Sequence, residues 1–199
     1  GEDIHTVTAS QVFGVPLSQV TSLQRSRAKA VNFGIVYGIS QFSLAQDIDV
    51  SVAEAKFYMD SYLTKYHGVR DYMKRIVKQA HEDGYVSTAF GRRRALPELK
   101  SSNYNIRSFG ERVALNTPIQ GTAADVIKLA MVAVWRRLRD EGLEARLILQ
   151  VHDELIVECP KEEKELVSRI LCEEMEGAAD FSVPLTAEAG VGRSWYGAK

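Results

Sequence analysis

Arg25, Lys29, Phe33 and Tyr37 recur at intervals of four residues. On a helix of about 3.6 residues per turn such a row drifts slowly, so all four side chains share one gently winding stripe. Two phosphate-binding cations stand at its start and two flat rings at its end. A nucleoside triphosphate has the matching layout, an anionic tail joined to a stackable base. The plainer use of such residues is a solvated Arg/Lys face and a Phe/Tyr core contact. A second candidate is Asp153-Glu154, set between the apolar runs Leu147-Ile-Leu and Leu155-Ile-Val. Carboxylates at a tight turn are commonly turn formers. Two adjacent ones repel unless a cation sits there, which makes Asp153 a candidate metal ligand with Glu154 its neighbour. A third is Arg92-Arg93-Arg94, either a solvated loop or a clamp on duplex phosphates. Asn116 and Gln120 flank a helix start. Such amides usually bond locally, but donors of this kind can also test base-pair shape in the minor groove, where either orientation of a pair shows nearly the same acceptors.

These groups need elements to hold them. Thr21 or Ser22 can cap the stripe's helix, and Gly38 can close it in the left-handed conformation. A short helix is expected near 43–48. Ser51-Val-Ala-Glu54 spells a capping box that starts another, whose apolar side Phe57, Tyr58, Tyr62, Leu63 and Tyr66 is read as packing. His67-Gly68 breaks it, and a further helix runs to about Asp83, closed by Gly84. The character then changes, with a strand-like run at 85–90, a turn at Gly91 and the three arginines on a loop. A helix is expected over 105–116, carrying Arg112. Thr117 then caps the longest helix with Pro118 in its first turn, and Ile119, Ala123, Ile127, Ala130 and Val134 form its core stripe. The two β runs around His152-Asp153-Glu154 make a hairpin with a charged tip. A helix over 161–177 and a strand over 183–189 follow. The expected class is α+β, with helices on a small antiparallel sheet.

Composition is that of an ordinary soluble chain with a real core: 199 residues, 45% hydrophobic and 26% charged. A net charge of −1 carries no global argument for nucleic acid, so any such site is local. Cys159 and Cys172 have no ligand spacing and read as reduced thiols of a cytoplasm. No apolar run reaches membrane-spanning length and no signal peptide opens the chain, so no membrane partner is expected. Gly1 in place of Met suggests an excised piece.

Arg25, Lys29, Phe33, Tyr37 and Gly38 meet, without a gap, motif B of the family A DNA polymerases: Arg, three residues, Lys, three residues, Phe, three residues, Tyr-Gly. Gln150-Val-His152-Asp153-Glu154 matches that family's motif C residue for residue, and Gly91-Arg-Arg-Arg94 and Asp3-Ile-His5-Thr are similar to further family segments. The resemblance covers essentially the whole chain. It implies helical fingers over 1–84, then the C-terminal part of a palm over 85–199. It assigns the incoming dNTP to His5, Arg25, Lys29, Phe33 and Tyr37, with Lys29 also catalytic beside Asp153 and Glu154. Primer–template DNA falls to Arg94, Arg112, Asn116, Gln120 and His152. The implied cofactor is Mg2+ in a two-metal site, for which Asp153 is one ligand. The other aspartate belongs to a motif A string, Asp-Tyr-Ser-Gln-Ile-Glu, that does not occur in these residues, and the thumb is not represented either. The missing palm and thumb are therefore expected partners, the chain alone is expected to be inactive, and a bacterial, nucleoid-associated location goes with the reading. The alternative is a non-catalytic module that binds nucleic acid or nucleotide with the same surface. Single-subunit RNA polymerases share a Lys-to-Tyr-Gly helix of this type, but the Phe33 context and the Gln-Val-His-Asp-Glu string favour DNA.

Overall fold

The computed structural model describes residues 3–198. They form two compact units, Gly1–Ile119 and Gln120–Lys199. The first opens with α1 (Ile4–Phe13), α2 (Ser22–Val36), α3 (Gln41–Asp47), α4 (Val52–Lys65) and α5 (His67–Asp83). Local chemistry explains each start. Asp3 caps α1, Thr21 and Gln24 form a reciprocal capping box on α2, Ser40 caps α3, and Ser51 and Glu54 form the expected box on α4. Gly38 and Gly84 take left-handed φ of 69° and 76° and close α2 and α5. Val12, Val31, Ile35, Leu44, Tyr58 and Tyr62 bury together as the core of these helices.

Strands β1 (Tyr85–Ser87) and β2 (Arg93–Ala95) then pair antiparallel, with Val86 opposite Arg94. Val86, Leu96, Leu99 and Ala114 bury with Ala80 as a second core. Helix α6 runs from Tyr104 to Asp140 and crosses the division between the units. In the second unit β3 (Arg146–Val151) and β4 (Glu154–Glu158) form the hairpin, and α7 (Lys164–Glu176) packs behind it. Val134, Leu138, Val167 and Ile170 are its core, joined by Leu155 and Val157 from the hairpin. A single turn, α8 (Trp195–Ala198), ends the described chain. The α+β class holds, with two small antiparallel sheets. No helix of the described residues is long and apolar enough to cross a membrane.

Five expectations change. The helix over 105–116 and the one starting at Thr117 are a single helix, with Pro118 inside it. Proline removes one bond donated within the ladder, but buried Ala114 and Leu115 before it, and Ala130, Val134 and Leu138 after it, anchor both flanks in cores. In the expected stripe, Ala130 and Val134 are buried while Ile119 and Ala123 are exposed. The 183–189 run forms no strand, consistent with Pro184, which has no N–H for a ladder. Arg93 and Arg94 lie on β2 rather than a loop. Phe57 is 60% exposed and stands outside the core that holds Tyr58 and Tyr62, meeting it only through an edge contact with the Tyr58 ring at 6.0 Å.

Candidate nucleotide and nucleic-acid site

Helix α2 buries Ala28, Val31 and Ile35 and turns Arg25, Lys29, Phe33 and Tyr37 outward. Phe33 is 49% and Tyr37 45% exposed, so neither ring is core. The chain folds back sharply after this stripe. Ile39 N–H donates to the Gly34 carbonyl at 2.8 Å, and a Cβ on Gly34 would sit 2.6 Å from Ile39 Cγ2. Any larger residue beside Phe33 would therefore push this return away. Gly38 has a second constraint besides its φ: its Cβ would lie 3.1 Å from Arg112 Cγ and 3.3 Å from Leu115 Cδ1. The motif glycine lets α6 approach the end of α2.

Helix α1 is clamped onto α2 at two levels. Asp3 accepts from Arg25 Nε at 2.8 Å and from its terminal nitrogen at 3.1 Å, a forked ion pair. That hydrogen-bonded guanidinium, helped by Thr6, holds the Asp3 carboxyl well below the usual carboxylate range. Deeper along the pair, the Asn32 side-chain amide lies 3.0 Å from His5 Nδ1. The half-buried His5 ring lies 5.7 Å from Phe33, tilted by 46°. Lys29 is exposed and makes no ion pair among the described residues. His5, Arg25, Lys29 and Phe33 thus share one surface. A pocket of about 570 Å³ continues it, lined by Phe33, Tyr37, Gly38, Ser40, Asp47 and Arg112.

The DNA-binding candidates of the first unit are less tightly grouped. Arg112 is exposed and donates to Ser108 Oγ at 3.1 Å. Asn116, one turn further along α6, has a buried Oδ1 with no hydrogen-bond partner, which leaves one acceptor of the amide unused. Arg94 donates to Thr117 Oγ1 at 3.4 Å, and Arg93 stacks over Tyr85 at 4.6 Å. Gln120 follows another turn along the same helix, exposed, as the first residue of the second unit.

His152, Asp153 and Glu154 all belong to the second unit, at the tip of the β3–β4 hairpin. Val151 pairs with Glu154, leaving His152 and Asp153 as a two-residue turn. His152 takes a φ of 52°, and Gln150 Nε2 donates to its carbonyl at 2.6 Å. Asp153 is exposed, whereas Glu154 Oε2 accepts from Trp195 Nε1 at 3.0 Å. Among the described residues no three His, Cys, Asp or Glu side chains group to hold a metal. A hard cation such as Mg2+ is often held by one or two carboxylates plus phosphate oxygens. Asp153 fits as one ligand of such a set and is not a site alone.

Residues 1–197 match the profile of DNA polymerase family A. The chain belongs to that family. It is 53% identical over 197 residues to DNA polymerase I of Bacillus subtilis (strain 168), covering 99% of this chain and 22% of that protein. It is 52% identical over 199 residues to DNA polymerase I of Geobacillus stearothermophilus, covering 100% of this chain and 23% of that protein. Among solved structures, it is similar to the POL domain of Pol1 from M. smegmatis, in complex with DNA primer-template and dNTP. That match has a TM-score of 0.94 at 48% identity, and covers all of this chain and 35% of the other. The chain spans under a quarter of the length of these curated relatives.

In this family A chain, sequence reasoning missed three residues that shape the surface. Asp3 caps α1, and the available clue was an Asp, a favoured N-cap residue, standing immediately before the helical run Ile4-His5-Thr6. Asn32 is a polar residue in an otherwise apolar turn of α2, and that break in pattern was the available clue. Trp195 lies 41 residues from Glu154, and nothing local in sequence connects them.

Proposed function

We propose that this chain is the fingers, 1–84, and the C-terminal part of the palm, 85–199, of a template-directed DNA polymerase. The reaction is transfer of a deoxynucleotide to a primer 3′-hydroxyl with departure of pyrophosphate. The observation that carries the reading is the outward stripe of α2, which puts two cations, two exposed rings and His5 on one surface. That a structure with TM-score 0.94 is described with primer-template and dNTP supports it.

Arg25, Lys29 and His5 hold the triphosphate. A charged donor set of this kind offsets tail charge as it moves onto the pyrophosphate, and Lys29 is the side chain with no internal partner to give up. Arg25 must first exchange Asp3 for phosphate. Phe33 stacks by the incoming sugar and base, and Tyr37 guards the template side of the pocket. Arg112, Asn116 and Gln120 offer donors to minor-groove acceptors common to all correct pairs, testing shape without reading sequence. Arg94 contacts backbone phosphate and His152 the primer-end duplex. Asp153 is a ligand for Mg2+, with Glu154 beside it and a further carboxylate supplied from outside these residues. When bound there, Mg2+ supplies Lewis-acid stabilisation of phosphoryl charge and acidifies the attacking hydroxyl. A cytoplasmic setting goes with this reading.

The test is primer extension on a primed template. The 199-residue chain alone should extend nothing, because Asp153 is the sole metal-bridging aspartate of the pair among these residues. Adding a palm and thumb segment that carries Asp-Tyr-Ser-Gln-Ile-Glu should restore extension. Extension by the lone chain would show that the second carboxylate is not needed.

A further inference from the structure

Among the described residues the His5 ring has one hydrogen-bond partner, the Asn32 amide, and that partner decides which proton the ring can offer. We infer that Asn32 is a positioning residue that fixes His5 as the Nε2–H tautomer, leaving that N–H as a donor on the surface shared with Lys29 and Phe33. The inference rests on the reading of His5 as a triphosphate contact.

The argument starts at Thr8, which is 0% exposed. A buried hydroxyl needs an acceptor, and the one recorded for Thr8 Oγ1 is Asn32 Oδ1, at 3.1 Å. Once the amide oxygen faces Thr8, the amide nitrogen must face the other way. It lies 3.0 Å from His5 Nδ1. An NH2 group has only protons to give, so Nδ1 must be the acceptor, and a neutral ring then carries its proton on Nε2. The relay Thr8 to Asn32 to His5 crosses from α1 to α2 and back, so the tautomer is set by the packing of the two helices. Phe33, 5.7 Å from the ring, limits how far His5 can tilt.

Two measurements test it separately. In the 199-residue chain labelled with 15N-histidine, at about pH 8.5 where an ordinary imidazole is neutral, His5 should show an unprotonated Nδ1 and a protonated Nε2. Asn32→Asp presents only acceptors and should move the proton to Nδ1, and Asn32→Leu should leave a mixture of the two forms. A Nδ1–H tautomer in the wild type, or a tautomer unmoved by Asn32→Leu, would overturn the inference. In a polymerase carrying this chain, Asn32→Leu and His5→Ala should each weaken dNTP binding by about tenfold, and the double variant should be no worse than His5→Ala. Additive losses would overturn the inference, because Asn32 would then act independently of His5. If the tautomer behaves as stated but dNTP affinity is unmoved in all three variants, Asn32 still orients His5 and the triphosphate assignment of His5 falls instead.

Discussion

Replacing Gly38 by Ala should destabilise the first unit, and the size of the effect can be worked out against an internal control. Gly38 and Gly14 have nearly the same left-handed backbone, with φ of 69° and 66°. Placing a non-glycine residue there costs roughly 1–2 kcal/mol. A Cβ on Gly14 would meet nothing within 4 Å, whereas one on Gly38 would meet Arg112 Cγ at 3.1 Å and Leu115 Cδ1 at 3.3 Å. Both neighbours are side chains that can give a little, so crowding adds about 1 kcal/mol, the low end of overpacking costs. Gly14→Ala should therefore lose about 1–2 kcal/mol and Gly38→Ala about 2–3 kcal/mol. Urea unfolding followed by far-ultraviolet circular dichroism measures both. Arg112→Ala removes the crowded Cγ, so in that background the excess of Gly38→Ala over Gly14→Ala should shrink. Equal losses at the two glycines, or an excess indifferent to Arg112, would refute the claim that Gly38 exists partly to admit α6.

Other outcomes follow from the same geometry. Lys29→Ala in a polymerase carrying this chain should weaken dNTP affinity by more than about tenfold, since a charged hydrogen bond is worth on the order of 2 kcal/mol; pre-steady-state kinetics on a primed template reads it, and an unchanged constant returns Lys29 to a solvated face. Phe33→Tyr adds a hydroxyl beside the sugar and should relax discrimination against dideoxynucleotides with the fold intact, as a comparison of dideoxy and deoxy incorporation would report. Asp3 is held ionised below its ordinary value of 3.8, chiefly by the Arg25 hydrogen bond. The stability this contributes is complete above about pH 4 and is lost as pH falls toward the depressed folded value. Asp3→Asn should flatten that acid limb in a pH series of unfolding midpoints, and an unchanged limb would remove the clamp from the account.

Legibility from sequence tracked how local the deciding chemistry was. The capping box at Ser51 and Glu54 and the closing glycines Gly38 and Gly84 act within a few residues, and all are where the pattern put them. The hairpin around Asp153 was equally plain, because two apolar runs flanked a polar turn. Pro118 misled because Thr-Pro is a sound start signal, yet burial on both flanks carried the helix through. The 183–189 run was apolar enough for a strand but found no partner. Within the candidate site, the stripe on α2 could be read by counting. Its supports could not: the Asp3–Arg25 fork spans 22 residues, the Asn32–His5 bond 27, and the Glu154–Trp195 bond 41. Such pairings depend on how helices pack, which spacing does not encode.

The most direct test of the account is a chimaera in which these 199 residues replace the matching stretch of the B. subtilis DNA polymerase I, carried with and without Asp153→Asn. Asp153 is exposed at its turn and engages no buried partner, so the substitution should leave the circular dichroism spectrum unchanged. Primer–template and dNTP should still bind, because the α2 stripe is untouched. Single-turnover primer extension should be robust in the chimaera and lost by orders of magnitude in the Asp153→Asn form. Extension by that variant at the rate of its parent would remove Asp153 from the chemistry and contradict the proposed palm.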